Sequence, residues 1–129
     1  MAQCEANGIW DSVWWWYQHL AEFTLEWEFP HIPEAERETI FPLLKRQLEG
    51  DFDPHEFNDA DMIVVGDPDQ CLEKMLRYSE LGVDQLICYV QFGHLEHESI
   101  MRTIELLGTE LIPELERRGI GVDAQVRTT

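Results

Sequence analysis

The stretch Met62–Gly93 reads MIVVGDPDQCLEKMLRYSELGVDQLICYVQFG, and its punctuation decides the fold. Met62-Ile63-Val64-Val65 is a short apolar run rich in β-branched residues, the composition of a strand. It ends at Gly66-Asp67-Pro68. Asp67 is a good N-cap, Pro68 suits the first helical position, and Gln70 stands three residues beyond the cap, as a capping box requires. Leu72, Met75, Leu76 and Leu81 then share roughly one helical face, and Gly82 supplies the left-handed stop. Leu86-Ile87-Cys88-Tyr89-Val90 is a second apolar run without polar alternation, the pattern of a strand buried on both faces in a parallel sheet. The expectation is therefore an α/β fold. Parallel α/β folds place their chemistry beyond the C-terminal ends of strands, here Gly66-Asp67 and Gln91-Phe92-Gly93-His94.

Upstream, Ile9 to about Glu28 has helical spacing: Trp10, Trp14, Tyr17, Ala21 and Thr24 form one stripe. Trp14-Trp15-Trp16-Tyr17 puts rings nearly all round it. Either this helix is sandwiched between layers, or part of it is a contact surface for another chain. Phe29 to Pro33 breaks it, and a second helix runs from Pro33 to about Leu48, with Pro42 expected to kink or split it. Gly50 to Asp61 reads as an acidic loop, either a lid or a plain surface connection. Downstream, Ile100, Ile104, Leu107, Leu111 and Leu115 mark a helix from His97 to Arg118, with a kink at Pro113. The chain divides into a helical segment and insert over 1–60, a β-α-β-α unit over 61–118 and a frayed tail over 119–129, all in one domain.

The 129 residues carry a formal charge of −17. So much acid repels phosphate backbones and anionic lipid, which argues against nucleic acid and membrane surfaces as partners. No apolar run reaches the length of a membrane helix, and the N-terminus lacks the pattern of a signal peptide. Cys4, Cys71 and Cys88, odd in number and widely spaced, fit reduced thiols in a cytoplasm.

Three groups of residues bear on chemistry. His94 and His97, with Glu96 and Glu98 between and beside them, have metal-like spacing but no third ligand in view, so they read better as a helix start. Cys71 sits in a first helical turn, a position that favours thiolates, yet it has no CxxC partner and Asp67 and Asp69 oppose negative charge. Cys88 reads as core. Gln91, Phe92, Gly93 and His94 combine an amide, a ring, a flexible glycine and an imidazole, a plausible wall for a planar or apolar ligand. No phosphate loop, nucleophile elbow or nucleophile–base pair is present, so no residue is assigned a catalytic role.

The run from Val65 to Met75, then Leu81-Gly82-Val83-Asp84-Gln85-Leu86, Gln91-Phe92-Gly93 and Glu110-Leu111-Ile112-Pro113, closely resembles the C-terminal end of bacterial luciferase-like flavin monooxygenases. The resemblance is sharpest over Asp61 to Glu116 and extends less sharply to the Trp-rich helix and the insert. It implies the C-terminal β-α-β-α portion of a (β/α)8 TIM barrel, preceded by a helical segment. It also implies a flavin-dependent monooxygenase that oxidises a small organic substrate with O2 and reduced flavin, usually FMN. By position, Gln91, Phe92, Gly93 and His94 would line the substrate and flavin cavity. The residues that grip the flavin come mostly from earlier strands of such proteins, so this chain alone is not expected to hold FMN. A part-barrel would leave strand edges exposed, so a homo-oligomer or a complementing chain is expected. The alternative expectation is a non-catalytic, oligomerising or partner-binding part-barrel derived from such an enzyme.

Overall fold

The computed structural model describes residues 8–27, 30–40 and 44–121. Seven α-helices are described: α1 (Ile9–Trp27), α2 (Glu34–Ile40), α3 (Leu44–Leu48), α4 (Pro54–Asp59), α5 (Pro68–Glu80), α6 (His97–Leu106) and α7 (Ile112–Arg117). A π-helical turn, Leu107–Leu111, joins the last two. Among the described residues there is no strand and no sheet. This corrects the expected α/β fold: the chain does not form the β-α-β-α portion of a (β/α)8 barrel.

Local signals were read correctly where the chain satisfies itself. In α5 the Asp67 carboxylate accepts from the Gln70 backbone N–H at 2.9 Å, and the Gln70 side chain accepts from the Asp67 N–H at 3.1 Å. Gly82 follows at φ +80°, a conformation that costs glycine little. Pro113 has no N–H to give the preceding turn, and the helix absorbs the loss by widening into the Leu107–Leu111 π turn before α7. Pro42 and the tail from 122 onward lie outside the described residues.

The strand expectations fail for a reason of partnership. A strand needs another within about 4.8 Å to take its N–H and C=O groups. Residues 62–65 instead find side chains: the Asn58 amide accepts from the Val65 N–H and donates to its carbonyl, both at 2.9 Å, as a neighbouring strand would. The buried Lys74 ammonium donates to the Asn58 and Ile63 carbonyls and, at 2.7 Å, to Asn58 Oδ1. Residues 86–90 run irregularly without a ladder partner among the described residues. Ile87 is 82% exposed and Tyr89 62%, so the segment read as fully enclosed lies open to solvent. Cys88, expected in the core, is exposed as well.

The segment read as a loop over Gly50 to Asp61 contains α4. It starts with the same device as α5: the Asp53 carboxylate accepts from the His55 N–H at 2.8 Å, with Pro54 in the first turn. Phe57 on α4 and the adjacent Phe52 are buried. Phe52 lies parallel to the Trp14 ring at 6.3 Å, and Tyr17 meets Phe57 edge-on at 4.9 Å. Ala21, one turn further along α1, packs against Ile32 and Leu48. A second apolar seam joins α5 to the π turn, with Met75 and Leu111 buried.

Candidate functional site

Two of the four site residues expected from sequence, Gly93 and His94, meet the N-terminal half of α1. Gly93, at φ +59°, lies so close to Ser12 that an added Cβ would stand 2.8 Å from both the Ser12 Cα and its carbonyl oxygen. The next backbone N–H, that of His94, donates to Ser12 Oγ at 3.2 Å. The His94 ring stands 4.9 Å from the Trp15 ring, whose other neighbour is His19 at 4.3 Å. His19 Nδ1 is 2.8 Å from the Trp15 carbonyl oxygen, which fixes the imidazole over its own helix. Tyr89 approaches Trp16 at 5.4 Å, and Phe92 lies 6.2 Å from Tyr89. Gln91 is exposed.

The stretch Trp14-Trp15-Trp16-Tyr17 is thereby resolved. Trp14 and Tyr17 face α4 and Phe52, while Trp15 and Trp16 take up the segment Tyr89–His94. The turn is a wall of rings against a helix. Its glycine is filled by the Ser12 backbone, so it cannot admit a ligand between turn and helix at that point.

A cleft of about 290 Å³ lies elsewhere, between the start of α5 and the π turn. Leu72 and Leu111 form its apolar part, and Asp69, Glu110, Glu114 and Arg118 its polar part. Glu114 accepts from Arg117 and Arg118 at 2.6 to 2.8 Å. Those hydrogen bonds hold its carboxyl down at about 2, so it is a bound anion and a poor proton carrier. Among the described residues no three His, Cys, Asp or Glu side chains converge as a metal site, and His94 and His97 are no exception. Cys71 donates through sulfur to the Gly66 carbonyl at 3.6 Å, a structural contact at the start of α5.

The sequence offers Ser12 only as a possible helix cap and Asn58 only as a loop residue, and it gives Lys74 no role. Lys74 had a signal: Cys71, Lys74, Met75 and Tyr78 share one helical stripe, and a cation on a buried stripe demands acceptors. Asp61 is the other half of that demand. Its carboxylate accepts from Arg77 Nε at 2.6 Å and Nη2 at 2.7 Å and pairs with Lys74 at 3.5 Å. Tyr78 Oη donates to its carbonyl. These bonds hold Asp61 in a left-handed conformation, φ +56°, which is costly for a residue other than glycine. Such a network fixes the turn between α4 and α5.

No helix among the described residues is long and apolar enough to cross a membrane. Compared with known proteins, the chain matches no family model, no curated protein and no solved structure.

Proposed function

We propose that this chain is related to luciferase-like, flavin-dependent monooxygenases and contributes to their reaction only together with another chain. The observation that carries this reading is the resemblance of Val65 to Met75, Gln91-Phe92-Gly93 and Glu110 to Pro113 to such enzymes, and the exposed apolar segment Leu86–Tyr89 offers another chain a contact surface. The segment stands within the residue run that resembles such enzymes and leads into Gln91-Phe92-Gly93-His94. In the completed assembly, Gln91 and Phe92 face a small organic substrate. The flavin does not fit this chain as it stands. Gly93 is closed off by Ser12, and neither residues 1–36 nor residues 78–101 supply a lysine or arginine for its phosphate. FMN is therefore gripped by residues outside this chain's turn, and no chemical step is assigned to Gln91–His94. A reducing cytoplasm suits the exposed thiol of Cys88.

The experiment pairs titration with complementation. Oxidised and reduced FMN are titrated into the purified chain, which should leave flavin fluorescence unchanged. The chain is then mixed with a luciferase-like enzyme from which the counterpart of residues 61–116 has been deleted. Restored oxygen uptake with a flavin reductase supports the reading. Tight FMN binding by the chain alone, or no association and no activity with the truncated enzyme, overturns it.

The exposed apolar segment also favours a second reading, a non-catalytic module that binds a second copy or a partner chain. Association without any gain of flavin binding or oxygen uptake selects it.

A further inference from the structure

The N-terminal half of α1 meets two distant parts of the chain, and in both places a histidine lies against a tryptophan. The His55 imidazole of α4 stands 3.9 Å from the Trp10 ring, the planes tilted by 34°. The His94 imidazole stands 4.9 Å from the Trp15 ring, tilted by 55°. Both distances fall inside the roughly 6 Å over which an indole face attracts a cation. Both histidines are exposed, so protons reach them, whereas Trp10 and Trp15 are half-buried. Imidazole is the side chain that ordinarily changes charge between about pH 5 and pH 8.

Neutral, each imidazole is a ring packed on an indole. Protonated, it is a cation against a π-system of negative face, and the contact strengthens. The gain exists only while the segment is docked, so proton uptake and docking are coupled. The neighbouring charges are of both signs. Asp53 accepts from the His55 N–H, and Glu56 follows His55 and pairs with Arg46 of α3 at 3.2 Å. Glu96, His97 and Glu98 follow His94. The N-terminal half of α1 carries Asp11, Tyr17 and His19, and α3, packed on α1, carries Lys45 and Arg46. The carboxylates favour the protonated histidines. The α3 cations oppose them, and so does His19, which lies 4.3 Å from the same Trp15 ring.

We propose that the Trp10–His55 and Trp15–His94 pairs form a pH-sensitive clasp, which tightens α4 and the Gln91–His94 turn onto α1 as the two histidines take up protons. The turn directly follows the exposed apolar segment, so the clasp sets how firmly that segment is tethered at its C-terminal end. The proposal does not rest on the flavin reading.

The test is urea denaturation of the full chain in steps from pH 8 to pH 5.5. It compares the parent with His55→Gln, His94→Gln, the double variant, and His31→Gln as an exposed control. The docked chain binds the extra protons, so the stabilisation is complete at the acid end of the range and is lost as pH rises. Each pair should raise the folding equilibrium constant about twofold to fivefold on acidification. Each single variant should lose its own share, the double variant both, and His31→Gln neither. No rise in the parent overturns the proposal, as does a rise in the double variant equal to the parent's. An equal loss in His31→Gln overturns it too, by assigning the effect to overall charge. A local reading comes from amide exchange at residue 94, whose N–H donates to Ser12 Oγ at 3.2 Å. Corrected for the intrinsic effect of pH, exchange there should slow toward acid in the parent and not in His94→Gln. Equal slowing in both would show that the imidazole does not tighten the turn.

Discussion

Ser12 and Gly93 are 81 positions apart in the chain and touch backbone to side chain, with the glycine at φ +59° and the serine 2% exposed. Gly93→Ala should be costly twice over. The new Cβ meets the Ser12 main chain at 2.8 Å, and the residue must hold a left-handed conformation. We expect a loss of about 2–3 kcal/mol in urea denaturation. Trimming Ser12 to glycine will not relieve it, because the clash includes Ser12 Cα and its carbonyl oxygen. Ser12→Ala should cost only about 1 kcal/mol, the worth of its bond from the His94 N–H. Gly108 is the control: nothing stands within 4 Å of its added Cβ, and Gly108→Ala should be neutral or slightly stabilising.

Lys74→Met should lower stability by on the order of 3 kcal/mol, because it strands the Asn58 and Ile63 acceptors at a buried site. Loss of the Val65–Asn58 pairing should follow. Amide exchange at Val65, whose N–H is held by Asn58 Oδ1 at 2.9 Å, reads it directly.

Acid sensitivity should come from Asp61 and Glu114. The Arg77 hydrogen bonds, opposed in part by desolvation, hold the Asp61 carboxyl below the usual carboxylate range. Arg117 and then Arg118 hold Glu114 down at about 2. Each carboxylate binds protons less readily folded than unfolded, so its contribution is complete above the unfolded value of roughly 4. It is lost as pH falls through the depressed folded value. The urea midpoint should therefore drop between about pH 4 and pH 2, and Asp61→Asn should flatten part of that slope.

Tyr17 should mark the alkaline edge. Burial against the aromatic cluster, and then the charge of Tyr78, push its phenol above the ordinary value. The folded state keeps the proton longer, so the contribution of Tyr17 is complete below the unfolded value of about 10 and is lost as pH rises through the folded one. Absorbance at the phenolate band should show the Tyr17 step above the ordinary tyrosine value. In Tyr17→Phe that step should vanish.

What the sequence made legible depended on how local its causes were. The Asp67 cap, the Pro68 start and the Gly82 stop act within a few residues, and all three stand where the spacing put them. Pro113 disturbs its helix as expected, although as a π turn. Asp53-Pro54 carried the same start signal as Asp67-Pro68 but was lost among the acid and glycine around it. The two apolar runs were a different matter. Val65 and Val90 are β-formers by composition, but a strand is a relation between two segments, and composition names only one of them. The Asn58 side chain took the place of a ladder for Val65. For Leu86 to Val90 no such substitute stands among the described residues. The Gln91–His94 turn follows that segment, but it does not close a strand, and the contact of Gly93 with Ser12 joins distant residues that no periodicity links.

Ile87→Lys separates an open segment from an enclosed one. A lysine forced into an enclosed strand would leave a buried charge unpaired, a severe loss. At 82% exposure the same lysine reaches water, and the change in stability should stay within about 0.5 kcal/mol. Its consequence lies in association. Leu86, Ile87 and Tyr89 together present an exposed apolar surface, and a cation placed among them weakens its contact with another chain. Thermal melts of Ile87→Lys should overlay those of the parent chain, while sedimentation at micromolar concentration should show less self-association and the truncated monooxygenase should capture less of it. A melt lowered by many degrees would mean that Ile87 is covered in solution, and the open-segment reading would fall with it.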